Sequence, residues 1–258
     1  MAARPTVLLT GASKGLGLAI AKILLEKFNA NVVALSRTKG PDLQSLVDSH
    51  KDALLALECD VTNAAAVGTA VSQGLEKYKS IDGVILNAGV IEPLGTILSE
   101  EVSIDQWKQH FDVNFFSLVS ALRATVPVLR KSAHGGRVVF MSSGAATGNV
   151  PTWGPYNAGK AAMNSLCRTI AAEEPDLTFV AMRPGMVNTP MQAVIREQGP
   201  STMPAATLKI FTEAFEQNKL VAPEDAGHVA AALALTAPRS LSGQFVSWDA
   251  EECKPFRR

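Results

Sequence analysis

The sequence predicts a doubly wound α/β fold, in which a parallel sheet is covered by helices on both faces. Short apolar runs alternate along the chain with longer stretches of helical spacing. The runs are continuously apolar rather than alternating, as in strands buried on both sides. The first run also stops at a glycine-rich turn that opens a helix, the start of a βαβ unit. A length of 258 residues suits one such domain, covering 1–258.

In chain order, Thr6–Thr10 is the first strand, and Leu16–Phe28 follows with Leu16, Ile20, Ile23, Leu24 and Phe28 on one helical side. Further strands fall at Asn31–Ser36, Ala53–Cys59, Gly83–Leu86, Val138–Met141, Phe179–Met182 and Gln244–Trp248. Helices are expected over 63–78, 104–131, 156–173 and 223–236. Residues 188–220 break the rhythm, with Gly199, Pro200 and Pro204 among helix-compatible pieces. A long insertion after a strand's carboxyl end is where such folds place a substrate lid.

Twenty-four basic and 24 acidic residues give zero formal charge, which argues against a nucleic-acid or membrane-surface binder. Cys59, Cys167 and Cys253 fit neither a disulfide framework nor a zinc site, and read as thiols in a reducing compartment. His50, His110, His134 and His228 have no metal-ligand pattern around them. With no charged-then-apolar leader, no run of about eighteen apolar residues and no lipidation signal, the expected location is the cytosol.

The first turn reads Thr10-Gly11-Ala12-Ser13-Lys14-Gly15-Leu16-Gly17. Glycines let backbone approach a phosphate closely, and the helix start offers free N–H groups to it. About twenty residues on, an acid would bind the ribose 2′-hydroxyl of NAD. Ser36 and Arg37 stand there instead, and Lys14 lies in the turn. Two cations and a hydroxyl suit a 2′-phosphate, so the expected cofactor is NADP(H). Asp60, followed by Val61, ends the third run, where it can accept from an adenine amino group or cap the next helix. Asn87-Ala88-Gly89 ends the fourth run; small residues there let the chain pass close to the ribose and hold the central sheet.

Tyr156 and Lys160 stand four residues apart, on one helix face, and Ser143 lies thirteen positions before the tyrosine. A free phenol, with pKa about 10, is a poor acid near neutrality. A nearby ammonium would lower that value, as would the helix dipole, because Pro155 puts Tyr156 in the first turn. Ser143 can hold a substrate carbonyl oxygen beside the phenol. Asn114 is a polar residue among apolar neighbours; alone it would read as a satisfied amide at a helix kink, but beside Ser143, Tyr156 and Lys160 it reads as the holder of a water linking Lys160 to solvent. Together these residues read as equipment for reversible hydride transfer to a small-molecule carbonyl.

With Arg183-Pro184-Gly185 and Thr189 added, the motifs resemble the short-chain dehydrogenase/reductase family along essentially the whole chain. The resemblance implies a Rossmann fold of seven parallel strands in the order 3-2-1-4-5-6-7. It implies Asn114, Ser143, Tyr156 and Lys160 as the catalytic set, none of them substituted here. Pro184, Gly185, Val187 and Thr189 would border the nicotinamide, and the chain would form homodimers or homotetramers.

Details resemble a narrower branch, the sepiapterin and benzil reductases, whose members reduce vicinal dicarbonyls with NADPH. They are Ser142-Ser143-Gly144-Ala145, Trp153, Ala172-Glu173-Glu174-Pro175, Thr189-Pro190-Met191-Gln192 and the tail Ser242–Asp249. Trp153, Met186, Met191 and Met203 would line a pocket over the nicotinamide, with Trp153 a flat wall for an aryl diketone, or would simply pack. Asp249 is either a grip on substrate or a solvated tail acid. The expected activity is NADPH-dependent reduction of a vicinal diketone to an α-hydroxy ketone. The alternatives are a secondary-alcohol dehydrogenase, a sepiapterin-type pterin reductase and, last, a non-catalytic dinucleotide-binding scaffold.

Overall fold

The apolar runs pair as one parallel sheet in the computed structural model, which describes residues 4–258. The strands are β1 (Thr6–Thr10), β2 (Asn31–Ser36), β3 (Leu54–Glu58), β4 (Gly83–Leu86), β5 (Arg137–Met141), β6 (Thr178–Arg183) and β7 (Phe245–Ser247). Their order is β3-β2-β1-β4-β5-β6-β7, as the sequence predicts. The winding reverses between β1 and β4, which opens a crevice at their carboxyl ends.

Alternate residues of each strand enter different cores, because side chains of a strand point to opposite faces. Val7, Leu9, Ile85 and Val139 meet α1 (Gly15–Glu26), α2 (Pro41–Ser49) and α9 (Pro223–Thr236) on one face. Leu8, Val84, Val138 and Phe140 meet α3 (Ala64–Tyr78), α5 (Ser117–Leu129) and α6 (Gly154–Glu173) on the other. The three cysteines are buried and unpaired.

Three elements depart from expectation. Helix α2 was not foreseen; its residues are mostly polar and only Leu43 is buried. The helix expected over 104–131 is three pieces: α4 (Ile104–Phe111), a π turn (Asp112–Phe116) and α5. Ser103 and Gln106 start α4 with a reciprocal capping box. The run Ile104–Leu129 is, contrary to expectation, long and apolar enough to cross a membrane, yet Leu118, Leu122, Val126 and Leu129 pack it on the sheet. The 188–220 segment folds as α7 (Pro190–Thr202) and α8 (Ala205–Glu216), with Pro200 in the last turn of α7.

Gly83 shows how tightly α9 sits on the sheet: a Cβ there would lie 2.6 Å from the Ala234 carbonyl oxygen. Gly83→Ala must therefore push α9 away, costing about 2 kcal/mol. Thermal unfolding of this variant should begin roughly 5 °C lower, with the cofactor turn unaltered.

Candidate active site

The phosphate turn is built from backbone. Gly11 has φ +70°, and its N–H and that of Ala12 donate to the Leu35 carbonyl at 2.8 and 3.2 Å. A Cβ on Gly17 would lie 2.0 Å from the Gly11 oxygen, so only glycine lets α1 start so close to the turn. Lys14, at the N-cap, makes no side-chain cap bond, and the first turn of α1 holds no acid. The N–H groups that open α1, around Ser13, Gly15 and Leu16, thus suit an anion. Asn87 Nδ2 donates to the Thr10 and Gly11 carbonyls at 3.0 and 3.1 Å. The Thr10 hydroxyl accepts from the N–H groups of Asn87 and Ala88, both at 3.0 Å. Asn87-Ala88-Gly89 therefore holds β4 to β1, as expected. A Cβ on Gly15 would come within 3.3 Å of Thr189, so the turn also meets the start of α7.

Lys14, at the start of α1, and Arg37, just past β2, are exposed while Ser36 is buried, its hydroxyl donating to the Thr38 carbonyl at 3.0 Å. Asp60 does not cap α3; Asn63 does, accepting from the Ala66 N–H at 3.1 Å. Asp60 instead accepts from the Thr62 N–H and hydroxyl at 2.9 and 2.8 Å. Those bonds hold its carboxyl below the usual range, helped by the Arg37 charge. Its neighbour Val61 is buried.

Tyr156 and Lys160 lie on α6, with Tyr156 in the first turn as Pro155 predicts. Lys160 is buried, and its ammonium donates to the Met141 carbonyl at 2.6 Å, at the last residue of β5. It lies 5.6 Å from the centre of the Tyr156 ring. Ser143, two residues past β5, has an extended backbone, and its hydroxyl accepts from the Ala145 N–H at 3.2 Å. Burial pulls the Lys160 ammonium down to about 8. It pushes the Tyr156 phenol up, against the opposing pull of the Ser143 hydroxyl. In the protein alone, desolvation of the phenolate is the larger of these two effects.

Asn114 is wholly buried within the π turn. Its Oδ1 accepts from the Val90 N–H at 2.9 Å, and its Nδ2 donates to the Val90 carbonyl at 2.8 Å. Nδ2 also meets His110 Nε2 at 2.7 Å. These bonds satisfy the side-chain amide at the helix kink and tie Asn114 to the segment after β4. His110 was passed over in the sequence because its partners are a distant carbonyl and a residue one turn on. Its place four residues before Asn114 was the available signal.

Trp153 and Tyr156 form a third apolar cluster with Ile195, Met203 and Phe211 of the α7–α8 region, and with Met186 and Met191 at its edge. Trp153 stands edge-on to Tyr156 at 5.6 Å and packs on Phe211 at 5.2 Å. Gly185, with φ +78°, lies against Trp248 and Val221, beyond Pro184. Val187 bridges to Val221, and Thr189 stands at the N-cap position of α7 without a side-chain cap bond. Asp249 is not part of the cluster. It is exposed and accepts from the Ser247 hydroxyl at 2.5 Å, which chiefly holds its carboxyl low, with the charges of Arg183 and Arg257 adding to this.

A phosphate turn at a switch point, with a buried tyrosine–lysine pair one strand away, defines a nicotinamide-dinucleotide oxidoreductase. The chain belongs to the short chain dehydrogenase family, whose model matches residues 5–200. It is 42% identical to an oxidoreductase of Schizosaccharomyces pombe, over 95% of this chain and 97% of that one. It is 36% identical to a benzil reductase ((S)-benzoin forming) of Saccharomyces cerevisiae, over 97% and 98% of the two chains. Among solved structures, a short-chain dehydrogenase/reductase of Saccharomyces cerevisiae superposes with a TM-score of 0.94 at 33% identity, covering 98% of this chain and all of that one.

Proposed function

We propose that this oxidoreductase reduces a ketone with NADPH, and that its substrate is a vicinal diketone converted to an α-hydroxy ketone. The observation that carries the reading is the convergence of Ser143, Tyr156 and Lys160 at the carboxyl end of β5. The bound dinucleotide would supply the hydride and, once oxidised, a positive charge. Tyr156 gives its proton to the carbonyl oxygen as the hydride reaches carbon, so charge does not accumulate there. Ser143 donates to the same oxygen and keeps it beside the phenol. Lys160 stabilises the phenolate that forms.

Lys14 and Arg37, both exposed just past the carboxyl ends of β1 and β2, support NADP(H) over NAD(H), since they could grip a 2′-phosphate. The similarity to a benzil reductase supports a diketone. So does Trp153, whose buried indole N–H has no acceptor among the described residues and would suit a second carbonyl. Helices α7 and α8 would act as the lid. Exposed Phe116 and Ile104, on the α4–α5 run, support self-association.

Benzil and NADPH mixed with the protein should give a fall in nicotinamide absorbance and a benzoin product. Failure across a wide panel of ketones, with the dinucleotide bound, would refute the reading. Tyr156→Phe should bind NADPH normally and lose at least about 100-fold in kcat. Arg37→Asp should move the NADPH-over-NADH preference toward NADH by about tenfold, roughly 1.4 kcal/mol; an unchanged ratio of kcat/KM values would count against the assignment.

A further inference from the structure

We propose that His110 is a positioning residue for the reaction, locking Asn114 and the Tyr156 ring in place; this rests on the carbonyl-reductase reading above. His110 is 1% exposed and sits at the end of α4. Its Nδ1 lies 2.7 Å from the Glu92 carbonyl oxygen. A carbonyl only accepts, so Nδ1 carries the proton and Nε2 is left with a lone pair. That lone pair accepts from Asn114 Nδ2 at 2.7 Å. The amide orientation of Asn114 then follows: its oxygen must face the Val90 N–H, as found at 2.9 Å. One histidine tautomer thus sets the geometry of a catalytic-set residue.

The ring does a second task. It meets Tyr156 edge-on, with centres 6.1 Å apart, on the opposite helix α6. Gly159 on α6 faces the same ring: a Cβ there would meet Nε2 at 3.6 Å, an ordinary van der Waals contact. On the strap after β4, the Glu92 carboxylate accepts from Gln198 Nε2 on α7 at 2.8 Å. The hydrogen-bonded path therefore runs from α7 through Glu92 and His110 to Asn114, with Tyr156 packed beside it.

The charged and titratable groups facing His110 are Lys160 and Tyr156 on α6; from the strap it meets the Glu92 backbone carbonyl. Burial chiefly, and then the Lys160 charge, hold the imidazole below its ordinary range, against the pull of the Glu92 carbonyl. The ring is neutral at pH 7. Protonation, as pH falls through that depressed value, would set an Nε2–H against the Asn114 NH₂ group, two donors face to face. The lock is therefore present above the ordinary histidine pKa of about 6.5 and lost on the acid side.

The test compares wild type, His110→Phe and His110→Gln as full chains, measuring kcat and KM for benzil against pH and the dissociation constant for NADPH. Glutamine carries a donor and an acceptor at similar spacing but has no proton to gain. His110→Phe should lose about tenfold in kcat at neutral pH with NADPH affinity unchanged. His110→Gln should stay within about threefold of wild type and carry its kcat further into acid. Wild-type kcat in His110→Phe, or an unmoved acid limb in His110→Gln, overturns the proposal; should His110→Phe not fold, the acid limb alone decides. Nitrogen-15 NMR of the wild-type ring needs no turnover. It should show the neutral Nδ1–H tautomer at pH 7, and an Nε2–H tautomer or an imidazolium overturns the lock. Turnover absent on every ketone, with that tautomer present, would defeat the carbonyl-reductase reading and leave the lock standing.

Discussion

Lys160 carries a positive charge into the protein interior, and the Met141 carbonyl at 2.6 Å is the oxygen that receives it. Burying an ammonium costs several kcal/mol unless it is paired, and a carbonyl compensates only in part. Burial accordingly lowers its pKa to about 8. The same contact pins α6 to the end of β5. The Ser142 hydroxyl adds to that seam by donating to Asn164 Oδ1 at 2.6 Å. Tyr156, one turn before the lysine, and Ser143, just past the strand, are thereby fixed against each other.

The phenol and the ammonium are each pushed toward their neutral forms by burial. A negative phenolate beside a positive ammonium relieves both, so the two ionisations favour one another. A further positive charge near the phenol favours that pair again. The site is accordingly poised for proton transfer at the moment when an oxidised nicotinamide stands beside it, and resists ionisation otherwise. The sheet supplies the distances: β1 and β4 hold the phosphate turn through Thr10 and Asn87, and β5 holds the chemistry next to them.

Much of this was legible in the sequence, for physical reasons. Strands buried on both faces must be apolar throughout, so the runs marked them. The glycines at 11, 15 and 17 are required by close approach and, at 11 and 15, by positive φ. Tyr156 and Lys160 share a helix face by spacing alone. What stayed hidden depends on partners remote in sequence. Helix α2 buries one leucine and so has little periodic signal. The π turn at Asp112–Phe116 leaves no mark in apolar spacing, since its flanks remain helical. His110 draws its meaning from Glu92, eighteen positions away. The carboxylates of Asp60 and Asp249 accept from hydroxyl neighbours two positions away, Thr62 and Ser247, bonds that apolar periodicity does not reveal.

The chain has two tyrosines, which makes the central claim directly measurable. Burial pushes Tyr78 up to about 12, so it ionises late. Phenolate absorbance should be titrated with and without saturating NADP⁺. The account predicts that without the dinucleotide both phenols ionise above the ordinary value of about 10, and that with it one falls well below. It also predicts that Lys160→Met abolishes the fall. Two phenols that stay above that value with NADP⁺ bound, or a fall that survives loss of the ammonium, would contradict it.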